Sequence, residues 1–280
     1  MRRSAWLACV AVIAALCVGG AARGQSVSLE PKLGPGRFPA RFTYLAHTGL
    51  QSVKAGGDMK DATEASMEAT FEIGGQSPEL TMKFTSMKVT FSGSVMEGKF
   101  DSKNAADDQN PLDLVCRPLV GHELKVKVGA HGKIESVEGL EEIKAGGVTP
   151  LQIGDLFDAN AFRAMFQPVL SLRLEGGEVR VGQGWYYDVG SLPGLGMKAR
   201  RYELTLRSAA GDAAEIEIGP DPEAKPGEGR EEKTTGKATW DTKRGLLSKL
   251  ETVSEARWTV DQGGVKMQMA TQSIVKIERK

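Results

Sequence analysis

The sequence predicts a mainly β (α+β) fold: a curved antiparallel sheet, shaped as a half-barrel or open barrel, with a few covering helices. Apolar residues recur with a period of two through most of residues 38–91 and 200–277, as in strands with one buried face. The run 265–277 alone would span about 43 Å as a strand, and strands of that length usually curve. Turn-forming clusters separate these runs, so we expect a single domain over residues 25–280.

Individual strands follow from this alternation. In ATEASMEATFEI (62–73) one set of alternate residues is apolar and the other is polar. In ELTMKFTSMKVTF (79–91) the apolar set changes phase, which predicts a β-bulge or a break near Thr85 and Ser86. Residues 200–219 predict a hairpin that turns at AAGD.

Two segments break the alternation and predict helices. Residues 111–120 open on a proline, and residues 150–172 carry apolar side chains close to helical spacing. We expect Thr149 and Pro150 to start the second helix and Pro168 to kink or split it. A stretch rich in proline, glycine and charge, residues 219–232, predicts a mobile loop between strands.

The N-terminus has the three-part pattern of a secretory signal peptide. A cationic MRR precedes an apolar run over residues 5–18, and small residues follow up to Gly24. The apolar run is shorter than the roughly 20 residues that cross a bilayer as a helix. We therefore expect residues 1–24 to be removed between Gly24 and Gln25. The mature chain is then exported, periplasmic or extracellular, without a transmembrane span; a lipid anchor and an uncleaved anchor are the alternatives.

Charge and cysteine content exclude other classes of protein. Without residues 1–24 the chain has 33 Lys and Arg against 36 Asp and Glu, so it lacks the basic surface of a nucleic-acid-binding protein. Only Cys116 remains of the three cysteines, so no internal disulfide forms. The fold must therefore be stabilised by its hydrophobic core.

The stretch GHELKVKVGAHGKIESVEG (121–139) holds two histidines but predicts a hairpin. A zinc-binding helix would need the second histidine where Val126 stands, whereas residues 123–128 alternate as a strand. His131 falls in the turn GAHG, far from His122 at the strand's start, and His47 lies on another segment. We expect no metal site and no cofactor.

Two further patterns lack the spacing that their chemistry needs. The oxygen-rich stretch FDSKNAADDQN (100–110) has no ordered calcium-loop spacing, so a solvated loop is expected. The Ser-x-x-Lys pattern at Ser273 and Lys276 lies in a strand, where the two side chains face opposite sides. Because no nucleophile and base can be paired, we predict that the protein is not an enzyme.

Parts of the chain resemble known proteins. Residues 99–139, followed by GKATWDTKRGLLSKLETV (236–253), resemble an uncharacterised family of exported bacterial proteins, with D-x-x-x-G-x-L at Asp241, Gly245 and Leu247. That resemblance implies no activity. The last strands also resemble the curved half-barrels of periplasmic lipoprotein-carrier proteins, which hold acyl chains on the concave face. The second resemblance implies an apolar ligand and transfers no site residue.

Two functions remain open. The first is a non-enzymatic cell-envelope protein that binds an apolar small molecule, such as a lipid or acyl chain, on the concave sheet face. The alternative is a structural or protein-interaction module, with an envelope protein as partner and a filled core. The first predicts an apolar cavity of about 300–1,000 Å³. Its candidate lining residues are Met165, Phe166, Met267, Met269 and Trp185.

The signal peptide gives the first testable prediction. When the full chain is expressed with an active secretion pathway, the exported fraction should contain a chain that begins at Gln25. Intact-mass measurement with N-terminal sequencing checks this. A chain that keeps residues 1–24, or that carries a lipid on a cysteine, would contradict it.

Overall fold

The structure is a computed structural model of the 280-residue chain. It describes residues 24–34, 38–54, 60–93, 97–141, 158–192, 195, 197–223, 230–262 and 265–280. The predicted signal peptide lies outside these residues up to position 23, and Gly24 and Gln25 are the first residues described. None of the helices in these ranges has the length and apolar character needed to cross a membrane.

The described part of the chain is mainly β, as predicted, and includes two short α-helices. The strands are β1 (Ser26–Ser28), β2 (Ala40–Lys54), β3 (Lys60–Gln76), β4 (Glu79–Ser92), β5 (Gly98–Asp101), β6 (Glu123–Val128), β7 (Ile134–Glu138), β8 (Glu178–Arg180), β9 (Gly184–Val189), β10 (Arg200–Ala210), β11 (Ala213–Pro220), β12 (Arg230–Asp241), β13 (Leu246–Gln262) and β14 (Val265–Arg279). The helices are α1 (Pro111–Cys116) and α2 (Ala159–Leu170).

Twelve of the strands form one antiparallel sheet that does not close into a barrel. Their order is β7-β6-β4-β3-β2-β14-β13-β12-β11-β10-β9, with β5 beside β4. The chain enters this sheet at its centre and winds outward to the edge strand β7. It then crosses to the opposite edge, β9, and winds back to the centre, where β14 pairs with β2. The helix α2 lies in the connection between the two edges.

The predicted strand details are largely confirmed. The register of β3 against β4 shifts where Thr70 opposes Ser86 and Phe71 opposes Phe84, which leaves Thr85 as the extra residue of a bulge. Residues 121–139 form the β6–β7 hairpin, and β10 pairs with β11 around the expected turn. The predicted 219–232 loop is too long, because β11 continues to Pro220 and β12 begins at Arg230; residues 224–229 lie outside the described residues.

The first helix is short and capped. The Asn110 side chain accepts a hydrogen bond from the Leu112 N–H at 3.0 Å, and a 3₁₀ turn, Arg117–Leu119, follows the helix. Residues 111–120 are therefore only partly α-helical. Cys116 is fully buried here, and burial raises the pKa of its thiol to about 12.

The second helix starts later than predicted in the described chain. Asp158 is its N-cap and accepts a hydrogen bond from the Ala161 N–H at 2.6 Å. The expected start at Thr149 and Pro150 lies outside the described residues. Pro168 does not split the helix, which continues to Leu170. Only the last turn lies beyond this proline, so the missing N–H affects a position where the helix is already ending.

The helix packs an aromatic cluster against the sheet face that carries the buried side chains, here called the inner face. The Phe166 ring lies 4.3 Å from Phe162, 4.6 Å from Phe71 and 5.6 Å from Phe84, measured between centroids. Tyr44 completes the cluster at 6.3 Å from Phe166. All these rings are buried, and tilted or edge-on contacts between rings stabilise a core beyond the apolar area they bury.

The same helix also covers the outer edge of β7. The Gln167 side chain accepts a hydrogen bond from the Ile134 N–H and donates one to the Gly132 carbonyl, both at 2.8 Å. Arg163 donates to the Glu135 carbonyl at 2.6 Å. An edge strand whose main chain is bonded in this way is less available for pairing with another chain.

The aromatic cluster gives the second prediction. Replacement Phe166→Ala should lower the free energy of unfolding by about 3–5 kcal/mol, because the side chain is fully buried and its removal leaves a cavity. Leu114→Ala is the matched control, since Leu114 is 49% exposed and its loss should cost less than about 0.5 kcal/mol. Denaturant unfolding of both variants checks this, and equal losses would contradict it.

Candidate functional site

A small cavity remains between α2 and the inner face. Its volume is about 60 Å³. It is lined by Tyr44, Ala164, Met165, Pro168, Leu172, Tyr187, Val189, Gly190, Leu192, Met197, Lys198, Arg200, Tyr202, Leu204, Ile218, Leu250, Thr252, Ser273, Val275 and Ile277. Ligand pockets typically measure about 300–1,000 Å³, so this cavity has room for a few water molecules but not for a lipid.

One polar group in this cavity lacks a partner. Tyr187 is 5% exposed, and its hydroxyl makes no hydrogen bond. Burial raises the pKa of Tyr187 well above its ordinary value, so the group stays a neutral O–H donor. Leaving a buried donor unpaired costs free energy unless a small polar molecule enters the cavity.

A row of hydroxyl side chains crosses the inner face beside the cavity. Thr234, Ser254, Ser273 and Thr48 are directly opposite one another on β12, β13, β14 and β2. They form two hydrogen-bonded pairs, Thr48 with Ser273 and Thr234 with Ser254, each at 3.0 Å. All four residues are buried. The row separates the helix-covered part of the inner face from the rest.

Beyond this row lies the part of the inner face called here the distal face. Apart from the buried Ala256, its apolar side chains are only partly buried, unlike the rings of the aromatic cluster under α2. Trp258 opposes Met269 and Val260 opposes Met267, and Leu50 opposes Thr271. Val260 is 38% exposed. Exposed apolar side chains that are grouped rather than scattered indicate an interaction surface.

The opposite, outer face of the sheet has a different character. Its neighbouring strands are joined by ion pairs, among them Arg41 with Glu72, Lys276 with Glu251, and Arg207 with Glu217. Such cross-strand pairs suit a face that meets water. This face also carries partly exposed apolar side chains, Leu45, Val253 and Ile274, among its charged residues.

The five predicted lining residues do not share one cavity. Met165 lines the small cavity, while Phe166 is fully enclosed in the aromatic cluster. Met267 and Met269 lie on the distal face, and Trp185 lies on the edge strand β9. The helix and the end of β14 thus contribute to different parts of the inner face, and only the two β14 methionines are neighbours.

Trp185 belongs instead to a groove at the edge of the sheet. This groove has a volume of about 560 Å³. It is lined by Arg173, Leu174, Glu175, Gln183, Gly184, Trp185, Tyr186, Tyr187, Asp188 and Glu203. The indole N–H of Trp185 donates to the Leu172 carbonyl at 2.8 Å, which fixes the ring, whereas Tyr186 is 47% exposed.

The groups considered for catalysis or metal binding remain apart. Among the described residues no three His, Cys, Asp or Glu side chains are placed to hold a metal ion. His131 lies in the turn after β6 and contacts Glu30 at 3.0 Å. His122 instead lies just before the start of β6 at Glu123. Asp101 and Asp107 accept main-chain hydrogen bonds within their own turns.

The serine and lysine of the Ser-x-x-Lys pattern also point to different sides. Ser273 is buried in the hydroxyl row of the inner face, and its partner is Thr48. Lys276 pairs with Glu251 on the outer face at 2.7 Å. The amine is therefore not placed to activate the hydroxyl.

Sequence reasoning missed Trp258, Leu50, Val260 and the hydroxyl row. A signal was present, because Thr252 and Ser254 continue in phase with Leu250 and so occupy inward positions of β13. Hydroxyl residues at inward positions predict a change in the character of that face. Which residues they oppose depends on the pairing of β14 with β2, strands at opposite ends of the chain.

Comparison with known proteins gives one family. Residues 75–272 match the family described as "Family of unknown function (DUF6263)". No curated protein matches the chain significantly. Among solved structures, the chain is similar to one described as "Lipid-protein interactions in lipovitellin", with a TM-score of 0.49 and 9% identity. The match covers 87% of this chain and 25% of that one, so the chain spans about a quarter of its length.

The unpaired hydroxyl gives the third prediction. Replacement Tyr187→Phe should raise the free energy of unfolding by about 1 kcal/mol, because it removes a buried donor without a partner and keeps the ring. Thermal and denaturant unfolding measure the change. A loss of about 1 kcal/mol or more would contradict it and show that the hydroxyl has a partner in solution.

Proposed function

The chain belongs to DUF6263, a family of unknown function, and we propose that it binds an apolar ligand of the lipid or acyl-chain class on the distal face. The single observation that carries the proposal is the grouping of partly exposed Leu50, Trp258, Val260, Met267 and Met269 on the inner side of the sheet. Covering these side chains with a ligand is favourable, because each square ångström of apolar surface removed from water contributes about 25 cal/mol to the free energy of binding.

The chemistry of these side chains suits a flexible hydrocarbon. Two of them are methionines, whose unbranched and polarisable side chains adapt to irregular partners. From Ser273 to Met267 the strand advances about 20 Å, at roughly 3.3 Å per residue. One leaflet of a bilayer's hydrocarbon core is about 15 Å thick, which is half of roughly 30 Å, so the distal face is long enough for one acyl chain.

The helix-covered part of the inner face does not take part in this proposal. Its cavity of about 60 Å³ is too small for an acyl chain, and the aromatic cluster fills the rest. The ligand therefore lies against the sheet beyond the hydroxyl row rather than inside a closed core. A ligand held on an open face remains accessible for transfer to another protein or membrane.

The cellular setting is part of the same proposal. The signal-peptide pattern of residues 1–24 supports export, which makes the protein a component of the cell envelope or the extracellular space. The placement of Ser273 and Lys276 on opposite faces of the sheet supports a binding function without catalysis.

A second function has an observation in its favour. The filled space under α2 supports a structural or protein-interaction module, in which the distal face would contact an apolar segment of another envelope protein. Both functions use the same surface but differ in whether the protein alone binds a free fatty acid.

The fourth prediction concerns this difference. Titration of the chain from Gln25 with cis-parinaric acid, a fluorescent fatty acid, should give saturable binding that oleate competes away. Met269→Glu should weaken the affinity at least about 10-fold, because the added carboxylate would have to be desolvated beside the acyl chain, at a cost of about 1.4 kcal/mol or more. Leu45→Glu is the matched control on the outer face and should bind normally.

Stability measurements keep the comparison clean. Both positions are at least partly exposed, so each variant should unfold within about 0.5 kcal/mol of the natural chain. An absence of saturable binding, or equal weakening by both variants, would exclude the acyl-chain function. Native mass spectrometry and organic extraction of the exported protein would then show a bare chain, as the interaction module requires.

A further inference from the structure

The two outer edges of the sheet are protected differently. At β7 the main chain is bonded by Gln167 and Arg163 of α2. At β9, the other edge, no side chain in the described part of the chain bonds the outward main chain in this way. An edge strand with open N–H and C=O groups is a template on which another strand can pair.

The direction of the β9 main chain follows from the bulge that precedes it. The Gly182 N–H donates to the Leu206 carbonyl at 2.7 Å, and the Leu206 N–H donates to the Gln183 carbonyl at 3.1 Å. Gly182 has φ of +89°, as the first residue of a glycine bulge requires. Main-chain groups alternate in direction along an antiparallel strand, and those of Gln183 point to β10. The main-chain groups of Trp185 and Tyr187 therefore also point to β10, whereas those of Tyr186 and Asp188 point outward.

The residues that carry these outward groups also line the groove already described. Five consecutive residues, 184–188, form one side of its volume of about 560 Å³, and residues 173–175 form the other. The second side is held in place, because Arg173 donates to the Gly177 carbonyl at 3.0 Å and Leu172 accepts from the Trp185 indole. A strand added to a sheet lies about 4.8 Å from its neighbour and would lie within this groove.

The charges of the groove select the partner. Three carboxylates, Glu175, Asp188 and Glu203, line it together with the guanidinium of Arg173, and Asp188 is paired with Arg201 at 2.8 Å. Partial burial, together with the charges of Glu223, Asp221 and Glu203, raises the pKa of the Tyr186 hydroxyl. The surroundings of the outward-facing Tyr186 are therefore acidic, even though Arg201 lies 5.8 Å from its ring centroid.

The two faces of the sheet at β9 favour different side chains in a partner strand. Tyr186 and Asp188 lie on the outer side, where a lysine of the partner would meet Glu203 and the Tyr186 ring beside the Asp188–Arg201 pair. Trp185 and Leu174 offer apolar surface on the other side, and Leu174 is 40% exposed. We propose that β9 binds an extended peptide segment of alternating basic and apolar residues, added antiparallel as a further strand of the sheet.

The fifth prediction tests this with a labelled peptide, fluorescein-Lys-Val-Lys-Val-Lys-Val-amide, and fluorescence anisotropy on the chain from Gln25. Saturable binding is expected, weakening as ionic strength rises. In an antiparallel pair, residues opposite each other have side chains on the same face, so the lysine N–H groups meet Tyr186 and Asp188. N-methylation of the lysines should weaken binding at least about 10-fold, and N-methylation of the valines should leave it within about twofold.

Variants of the protein test the same contact from the other side. Glu203→Lys should weaken binding about 5- to 10-fold, and Glu217→Lys, also on the outer face but paired with Arg207, should not change it. Tyr186→Pro should also weaken peptide binding, because it removes an outward N–H donor. The fold should tolerate this change, since Pro is accepted where an edge N–H faces outward. Hydrogen exchange with the peptide bound should slow at the amides of residues 186 and 188.

Three results would overturn the proposal. One is equal binding of the two N-methylated peptides, and another is equal binding by the Glu203→Lys and Glu217→Lys variants. The third is protection of the Tyr186 amide without peptide in a dimer seen by size-exclusion chromatography, which would make a second copy of the chain the occupant. The peptide proposal and the acyl-chain proposal can fail independently of each other, because the peptide would bind at the β9 edge and parinaric acid on the distal face.

Discussion

The crossing of one connection over the inner face is the constraint on which the structure depends. The chain begins and ends its sheet at the centre, with β2 beside β14, so the remaining connection must join the two edges β7 and β9. That connection carries α2, and Phe162 and Phe166 project from it into the aromatic cluster. A sheet of this kind has one apolar face to cover, and among the described residues α2 covers the aromatic part of that face.

The length of the central strands explains why the cover is incomplete. β3 and β13 each have 17 residues, or about 56 Å at roughly 3.3 Å per residue. The 12-residue helix is only about 18 Å long at 1.5 Å per residue. The inner face accordingly changes along the strands from aromatic rings to hydroxyls and then to partly exposed methionines. The proposed ligand surface is a geometric result of this mismatch.

Sequence reasoning was reliable where a pattern is local. The bulge at Thr85, the β6–β7 hairpin and the inward positions of β14 all follow from alternation within a few residues. It was less reliable for helix limits, because Asp158 caps α2 well inside the apolar segment. The candidate site could not be assembled in advance, since Met165 and Met269 share an inward character but not a location, and the pairing of β14 with β2 is non-local.

The hydrogen bonds from α2 to β7 have a consequence for the order of events during synthesis. Residues 134–138 leave the ribosome before residues 159–170, so the edge strand exists for a time without the side chains of Arg163 and Gln167. During that interval the aromatic half of the sheet and an open edge are exposed together, a state prone to association with other chains. Docking of one short helix ends both exposures at once.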